Sequence, residues 1–287
     1  MRRLLLFLFI LHGEASMAQP DTVSQRIFLI GDAGELFAGD AHPVIDWLKK
    51  HVDWNDTTNS AIFLGDNIYP LGLAQRGESD FRQSKKILDY LLTPFLNKKG
   101  RAFFIPGNHD WKNGKLGGWQ RVRNQHNYIN GLGQKNIQSL PTEGCPGPIA
   151  VDLNNQVAVA FIDTQWFLYI HDKPGPSSSC NSRTVQEFAT ELQEIVAQHQ
   201  NQLLLIVTHH PVYSFGPHGG DYTWKEHLFP LTAANKNLWI PLPLLGSIYP
   251  IARGVFGNLQ DVKHPLYQTM AGILEDAVRK HPNAIIA

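Results

Sequence analysis

Four short motifs place side chains that bind metal ions well directly after apolar runs typical of buried strands. They are Gly-Asp-Ala-Gly at 31–34, Gly-Asp-Asn-Ile-Tyr at 65–69, Gly-Asn-His-Asp at 107–110 and Thr-His-His-Pro at 208–211. Ligands bind at the carboxyl ends of the strands in open α/β sheets. We therefore expect the four motifs to meet along one rim of a sheet.

The donor types within these motifs predict a site for two metal ions. Asp32 and Asp66 offer hard carboxylate oxygens, whereas Asn108 offers a neutral amide oxygen and His209 a ring nitrogen. One carboxylate can bridge two cations about 3.5–4 Å apart, the separation found in two-metal hydrolytic sites. Taken alone, each motif could have a purely structural role, in which its Asp or Asn bonds to backbone groups or caps a helix. All four in this order, each after an apolar strand, favour the metal site.

Strand and helix patterns alternate along the chain from Gln19 onward. The predicted strands are 26–30, 61–64, 102–105, 151–153, 157–162, 203–207 and 284–286, with 151–153 and 157–162 forming a hairpin. The predicted helices are 42–51, 79–97, 184–199 and 264–281. Continuous apolar strands such as 203–207 suit a sheet covered on both faces. With no internal repeat or linker, residues 19–287 are expected to form one α/β domain.

Composition restricts the classes of partner. Hydrophobic residues make up 43% of the 287 residues, which is enough for a sizeable core. Lys plus Arg and Asp plus Glu number 25 each, so net charge gives no case for nucleic acid or an anionic membrane. Any anion must therefore bind at a local site, and no nucleic-acid partner is indicated.

The first eighteen residues have the pattern of a secretory signal peptide. Two arginines precede an apolar stretch at 4–11, and the small residues Ser16 and Ala18 fit a cleavage pattern around Met17. The segment is too short for a membrane span. This predicts a secreted, periplasmic or cell-surface protein. The only two cysteines, Cys145 and Cys180, could pair in such an oxidising compartment, and two free thiols are the alternative.

Residues 225–263 interrupt the alternation of strands and helices. The run 238–250 is apolar but contains prolines, so it cannot form a membrane-spanning helix. We expect an insertion near the mouth of the site. It either packs against the edge of the domain's own sheet or forms a lid or a docking surface for a membrane or a neighbouring domain.

The four motifs resemble those of the calcineurin-like metallophosphoesterase superfamily and, within it, the purple acid phosphatases. The second motif and the run 209–214, followed by Pro-His-Gly at 217–219, are similar to the small tartrate-resistant acid phosphatases. The resemblance implies an α/β fold in which a β-sandwich is flanked by helices, in four layers α/β/β/α. It also implies a hydrolase that cleaves phosphate esters with a metal-bound hydroxide.

The same resemblance assigns roles to individual residues. Asp32 and Tyr69 would hold Fe(III), Asp66 would bridge, and Asn108 with His209 would hold a divalent ion (Fe, Zn or Mn). His109 and His218 match histidines that face the substrate, and either could protonate the leaving alkoxide. Asp110 could orient His109 or cap the following turn.

Tyr69 distinguishes the purple acid phosphatases from the rest of the superfamily. A free phenol ionises near pH 10, so it binds metal well only when a highly charged, hard cation removes its proton. Two carboxylates and a phenolate carry three negative charges, and an Fe(III)/M(II) pair carries five positive ones. The surplus would attract a phosphoester. If Tyr69 only packs beside Pro70, the site holds two divalent ions instead.

One family motif, Gly-His-x-His, does not occur in the chain. The run at 284–286 is similar to the short strand that precedes it, so we expect a C-terminally incomplete fragment with an underfilled divalent site and little activity. The leading function is an exported, acid-phosphatase-like phosphomonoesterase. The alternatives are a phosphodiesterase or nucleotide hydrolase on the same scaffold, or a degenerate phosphate-binding module.

Overall fold

The computed structural model describes residues 23–37, 41–233 and 235–287. The predicted signal peptide, residues 1–18, lies outside this part of the chain. Among the described helices, none is both long enough and apolar enough to cross a membrane.

The N-terminal half forms a parallel sheet with the strand order β1-β2-β3-β4. Its strands are β1 Arg26–Ile30, β2 Asn59–Phe63, β3 Arg101–Phe104 and β4 Ile137–Ser139. The connecting helices are α1 Pro43–His51, α2 Phe81–Leu92 and α3 Gly118–Asn130. Parallel strands need such crossover helices to return the chain to the same end of the sheet.

The C-terminal half forms a second sheet with the order β5-β6-β7-β8. Its strands are β5 Ile149–Asp152, β6 Val157–Phe161, β7 Leu203–Val207 and β8 Ala284–Ile286. Strands β5 and β6 make the predicted antiparallel hairpin, and the other pairs are parallel. The later helices are α4 Gln165–Leu168, α5 Val185–Gln198, α6 Trp224–Leu228, α7 Ile248–Phe256 and α8 Pro265–Val278.

Alternating strand residues separate the molecule into four layers. On β2, Ala61 and Phe63 pack toward the helices of the first half, whereas Ile62 packs toward the second sheet. On β6, Ala160 packs toward α5 and α8, and Val159 meets the first sheet. Since side chains on a strand alternate between its faces, each sheet has one face on helices and one on the other sheet. The predicted α/β/β/α architecture is confirmed.

One predicted helix is shorter than expected, and two elements of the N-terminal half, α3 and β4, are additional to the predicted ones. The helix predicted to reach Asn97 ends at Leu92 and continues only as a 3-10 turn at Thr93–Phe95, because Pro94 has no N–H to donate. Helix α3 was not predicted, since its sequence is largely polar and lacks a clear apolar stripe. Strand β4 was also not predicted, because three residues are too few to show a period.

Several apolar side chains of the insertion are exposed and do not pack against a sheet edge, whereas Val262 near its end packs on the core of the second half. Its helices α6 and α7 and the intervening turns pack on one another. Leu244 is 90% exposed, Leu245 68% and Trp239 58%. Burial against the edge of the sheet, the first of the two expected alternatives, therefore does not hold for these side chains.

A disulfide joins Cys145 and Cys180, whose Cα atoms lie 5.6 Å apart. The bond links the loop after β4 to the loop before α5, across 35 positions of sequence.

Candidate metal centre

The ends of β1, β2, β3 and β7 bring the four motifs to one rim. Asp32, Asp66 and His209 each offer a ligand atom, and these atoms lie within 4.8 Å of one another. Asp66 is buried, whereas Asp32 is exposed and His209 half-buried. A cluster of two carboxylates and an imidazole with one open side can hold a metal ion and still admit a ligand.

Asp66 lies at the centre of this cluster. Its Oδ1 accepts a hydrogen bond from the backbone N–H of His109 at 2.8 Å and lies 3.5 Å from His209 Nε2. Its Oδ2 accepts from the Tyr69 hydroxyl at 2.8 Å. Because its two oxygens face different partners, Asp66 has the arrangement expected of a bridging carboxylate.

The contact between Asn108 and His209 tests whether a cation fits. His209 Nδ1 donates to the carbonyl of Leu64 at 2.9 Å, which leaves a lone pair on Nε2 of the neutral ring. The Asn108 amide nitrogen donates to Asn113, so its Oδ1 faces Nε2 at 2.9 Å. Two acceptors at this distance, with Asp66 beside them, are stabilised by positive charge, which either a proton on Nε2 or a bound cation can supply. A metal ion would supply that charge, so Asn108, His209 and Asp66 fit a metal site.

The Tyr69 hydroxyl lies among carboxylate oxygens and not only beside Pro70. It is 2.9 Å from Asp32 Oδ1 and 2.8 Å from Asp66 Oδ2. Burial and the charges of Asp66 and Asp32 raise the pKa of Tyr69 above its ordinary value. The phenol therefore keeps its proton unless a cation enters among these three oxygens and replaces it.

The backbone of the site is strained and closely packed. Asp32 and Asp66 have φ values of 54° and 52°, a left-handed conformation that costs free energy in non-glycine residues. A Cβ at Gly107 would lie 2.4 Å from Asp66 Oδ1 and 2.8 Å from His209 Cε1. Only glycine at position 107 lets the third motif approach Asp66 of the second motif and His209 of the fourth this closely.

Asp110 does not orient His109, and its carboxylate is committed to another loop. It accepts hydrogen bonds from the backbone N–H groups of Asn67, Ile68 and Gly107 at 2.8–3.1 Å. Burial raises the pKa of Asp110 to about 8, while these donors act in the opposite direction. Asp110 therefore ties the second motif to the third.

The two predicted catalytic histidines are held by different partners. His109 Nδ1 donates to the Pro70 carbonyl at 2.7 Å, and its Nε2 lies 4.0 Å from Asp66 Oδ2. His218 Nδ1 lies 3.0 Å from Asp261 Oδ1 and 3.0 Å from the carbonyl of Gln260. In each ring Nε2 is the nitrogen left free for a substrate.

A cleft of about 330 Å³ unites these residues. Its lining includes every predicted ligand and both predicted catalytic histidines: Asp32, Asp66, Tyr69, Asn108, His109, His209 and His218. The structure thus brings together residues from all four motifs and from the loop that follows the fourth.

The insertion supplies two residues that support the cleft and that the sequence motifs do not indicate. Asp261 is buried and pairs with Arg253 through two bonds at 2.8 and 2.9 Å. Burial opposes ionisation of Asp261, but the Arg253 guanidinium holds its pKa below the ordinary value. Neither residue lies in a recognisable motif, so only their position in the fold identifies them.

His210, which was not predicted as a ligand, has both ring nitrogens engaged away from the cluster. Nδ1 lies 2.7 Å from the Thr164 hydroxyl, and Nε2 lies 2.6 Å from Gln260 Oε1. Burial lowers the pKa of His210 well below its ordinary value, so the ring is neutral. It packs edge-on against His209 and supports that ligand from behind.

Comparison with known proteins agrees with this geometry. The family model described as calcineurin-like phosphoesterase matches residues 25–238, which include all four motifs. A search of curated proteins finds no match. The match covers most of the chain and the whole of the ligand cluster. The chain therefore belongs to the calcineurin-like phosphoesterase family, whose members hydrolyse phosphoesters with a dinuclear metal centre.

Proposed function

We propose that the protein is an acid-phosphatase-like phosphomonoesterase of the purple acid phosphatase type. The observation that supports this most directly is the Tyr69 hydroxyl, which lies within 2.9 Å of both Asp32 and Asp66. A phenol among carboxylates gains nothing from ionising unless a hard, highly charged cation is present. Fe(III) meets that requirement, and a divalent ion does so less well.

The ligand arrangement supports one position for each metal. Asp32 and Tyr69 would hold Fe(III), Asp66 would bridge, and Asn108 with His209 would hold the divalent ion (Fe, Zn or Mn). When bound, the two ions supply positive charge for the phosphate and lower the pKa of water. Asn108 contributes an oxygen without negative charge, which preserves the attraction for the substrate.

The protein's own groups bind the ester and move the proton. The ligand cluster and the two histidines line the same cleft, so a phosphate bound there would be within reach of both. With Nδ1 of each ring engaged, Nε2 of His109 or His218 can donate a proton to the leaving alkoxide. His218 has the stronger support for this role, because Asp261 Oδ1 lies 3.0 Å from its Nδ1 and orients the ring.

Metal analysis, absorption spectroscopy and a phosphoester panel test the proposal. We expect iron with a second metal, a visible charge-transfer band that disappears in Tyr69→Phe, and a preference for monoesters at acid pH. Tyr128→Phe, which removes a phenol that bonds to Asp89 outside the cleft, is the matched control. A colourless, fully active zinc or manganese enzyme would exclude the iron assignment.

The same panel separates the alternatives. Faster cleavage of diesters or nucleotides than of monoesters would identify a phosphodiesterase or nucleotide hydrolase on this scaffold. Phosphate binding with metal present but without turnover would indicate a degenerate binding module.

We also propose that the protein is exported. The composition of residues 1–18 and the disulfide between Cys145 and Cys180 support this, since such bonds persist in oxidising compartments. N-terminal sequencing of the mature protein from cell fractions tests it. We expect Gln19 as the first residue outside the cytoplasm, and an uncleaved cytoplasmic protein would refute the proposal.

A further inference from the structure

We propose that residues 237–252 of the insertion dock the protein on a phospholipid surface that contains anionic lipids. These residues, here called the apolar ridge, extend into α7, which contacts the turn that carries His218 of the cleft. The proposal goes beyond hydrolysis and does not depend on which phosphoester is cleaved.

Exposed apolar side chains of the ridge follow a helical spacing. Leu245 lies in a 3-10 turn that leads directly into α7, and Ile248 and Ile251 follow at intervals of three residues within α7. Their side chains are 68%, 63% and 56% exposed. Amphipathic helices in a globular protein turn such a stripe toward the core. Here the stripe faces away from the rest of the described structure.

Leu244 adds another apolar side chain, and its backbone has a conformation that costs free energy. Its φ is 69°, in the left-handed region that β-carbons disfavour, and its side chain is 90% exposed. Nothing in the described structure covers this side chain. An apolar phase outside the protein would compensate for both the strain and the exposure.

The polar groups near the ridge favour lipid over a protein partner. Protein interfaces carry about one hydrogen bond per 100–200 Å². The Ser247 hydroxyl already bonds to His227, and the Tyr249 hydroxyl accepts from Arg253. Residues 237–252 contain no Asp, Glu, Lys or Arg. The ridge thus offers apolar area with few free hydrogen-bonding groups.

Charges around the ridge complement an anionic surface. Lys225 and Lys236 are exposed on the flanking segments. The two acids of residues 222–263 are engaged within the protein, since Glu226 accepts from the backbone of Thr223 and Asp261 pairs with Arg253. Each basic residue near a membrane surface adds to the attraction for anionic headgroups.

Aromatic residues complete an interfacial pattern. Trp224 is 67% exposed, Trp239 58% and Tyr249 47%. Trp and Tyr concentrate where membranes meet water, because one part of each ring system is apolar and the other polar. An interfacial segment also need not span the bilayer, which agrees with its proline-interrupted sequence.

The ridge is connected to the cleft through a short chain of contacts. Helix α7 carries Arg253, which pairs with Asp261, and Asp261 holds His218 of the cleft. Docking through α7 would therefore place the cleft next to the headgroups.

Vesicle flotation with the full chain tests the proposal. We expect binding to phosphatidylcholine vesicles that contain phosphatidylserine, weaker binding without phosphatidylserine, and weakening by salt. The double variant Leu245→Ser/Ile248→Ser should bind at least about tenfold more weakly, because two apolar side chains no longer enter the lipid. Leu116→Ser, which alters a 71% exposed leucine outside the insertion, is the matched control and should bind normally.

Fluorescence quenching by brominated lipids gives a second measurement, which does not rely on the double variant. Wild-type protein should be quenched on docking, and Trp239→Phe should lose a clear part of that quenching. Absence of vesicle binding, or undiminished binding of the double variant, would overturn the proposal. The proposal would also be overturned if the wild type is a dimer and the double variant a monomer, since the ridge would then be a self-association surface.

Discussion

Asp261 Oδ1 accepts a hydrogen bond from His218 Nδ1 at 3.0 Å, across 43 positions of sequence. Asp261 is itself fixed by Arg253 and by the backbone N–H of Asn258 at 2.8 Å. The insertion therefore positions a histidine of the cleft, although none of its own side chains belongs to the ligand cluster.

This relationship predicts a leaving-group effect in Asp261→Asn. Turnover of alkyl phosphates should fall by about 10-fold to 100-fold, because a poor leaving group needs the proton that His218 delivers. Turnover of p-nitrophenyl phosphate should change little, since its leaving group needs no proton. Steady-state kinetics on both esters checks this, with the surface variant Asp276→Asn as control. Equal losses on the two esters would contradict the positioning role.

Asp66→Ala should remove the bridging ligand. We expect at least one metal position to empty and turnover to fall by at least about 100-fold, because two cations lose their shared anion. Elemental analysis and kinetics measure both effects. Asp56→Ala, which alters an aspartate that bonds to Thr58 away from the cleft, should keep metal and activity. Retention of two metals with near-normal turnover would rule out the bridging assignment.

The two motif glycines Gly107 and Gly31 should differ sharply in tolerance. Gly107→Ala places a Cβ 2.4 Å from Asp66 Oδ1, so metal content and turnover should both fall. Gly31→Ala meets no atom within 4 Å and should preserve them. Metal analysis on the purified pair tests this difference. Equal behaviour of the two variants would show that close packing at Gly107 does not control the site.

Acid should destabilise the protein partly through His126. Burial lowers the pKa of His126 below the 6.5 of an ordinary histidine. The unfolded chain therefore binds this proton first, and stability falls as pH decreases from 6.5 toward the folded-state pKa.

The decrease should be at most about 1.4 kcal/mol per pH unit in that window. Urea unfolding of wild type and His126→Gln between neutral and acid pH measures it, with exposed His51→Gln as control. Wild type should lose stability more steeply with acid than His126→Gln, and parallel curves would contradict the assignment.

Local sequence patterns were enough to predict the ligand motifs and most of the strands that carry them. Runs such as Leu203–Val207 are apolar without interruption, and burial of Leu204, Ile206 and Val207 in this run requires little information from elsewhere in the chain. Each motif begins directly after its strand. Because parallel strands end at the same edge of a sheet, the motifs meet at that edge. This local logic also explains why the sequence predicted the hairpin of β5 and β6.

The distant groups that support the site are identified only by the folded arrangement of the chain. Asp110 binds Asn67, and Asp261 binds His218, across 43 positions in each case. Such contacts depend on the path of the intervening chain, and no local period encodes that path. The exposure of Leu245 and Ile248 also could not be predicted from local sequence. Apolar side chains tend to leave water, but this tendency does not specify the surface against which they pack.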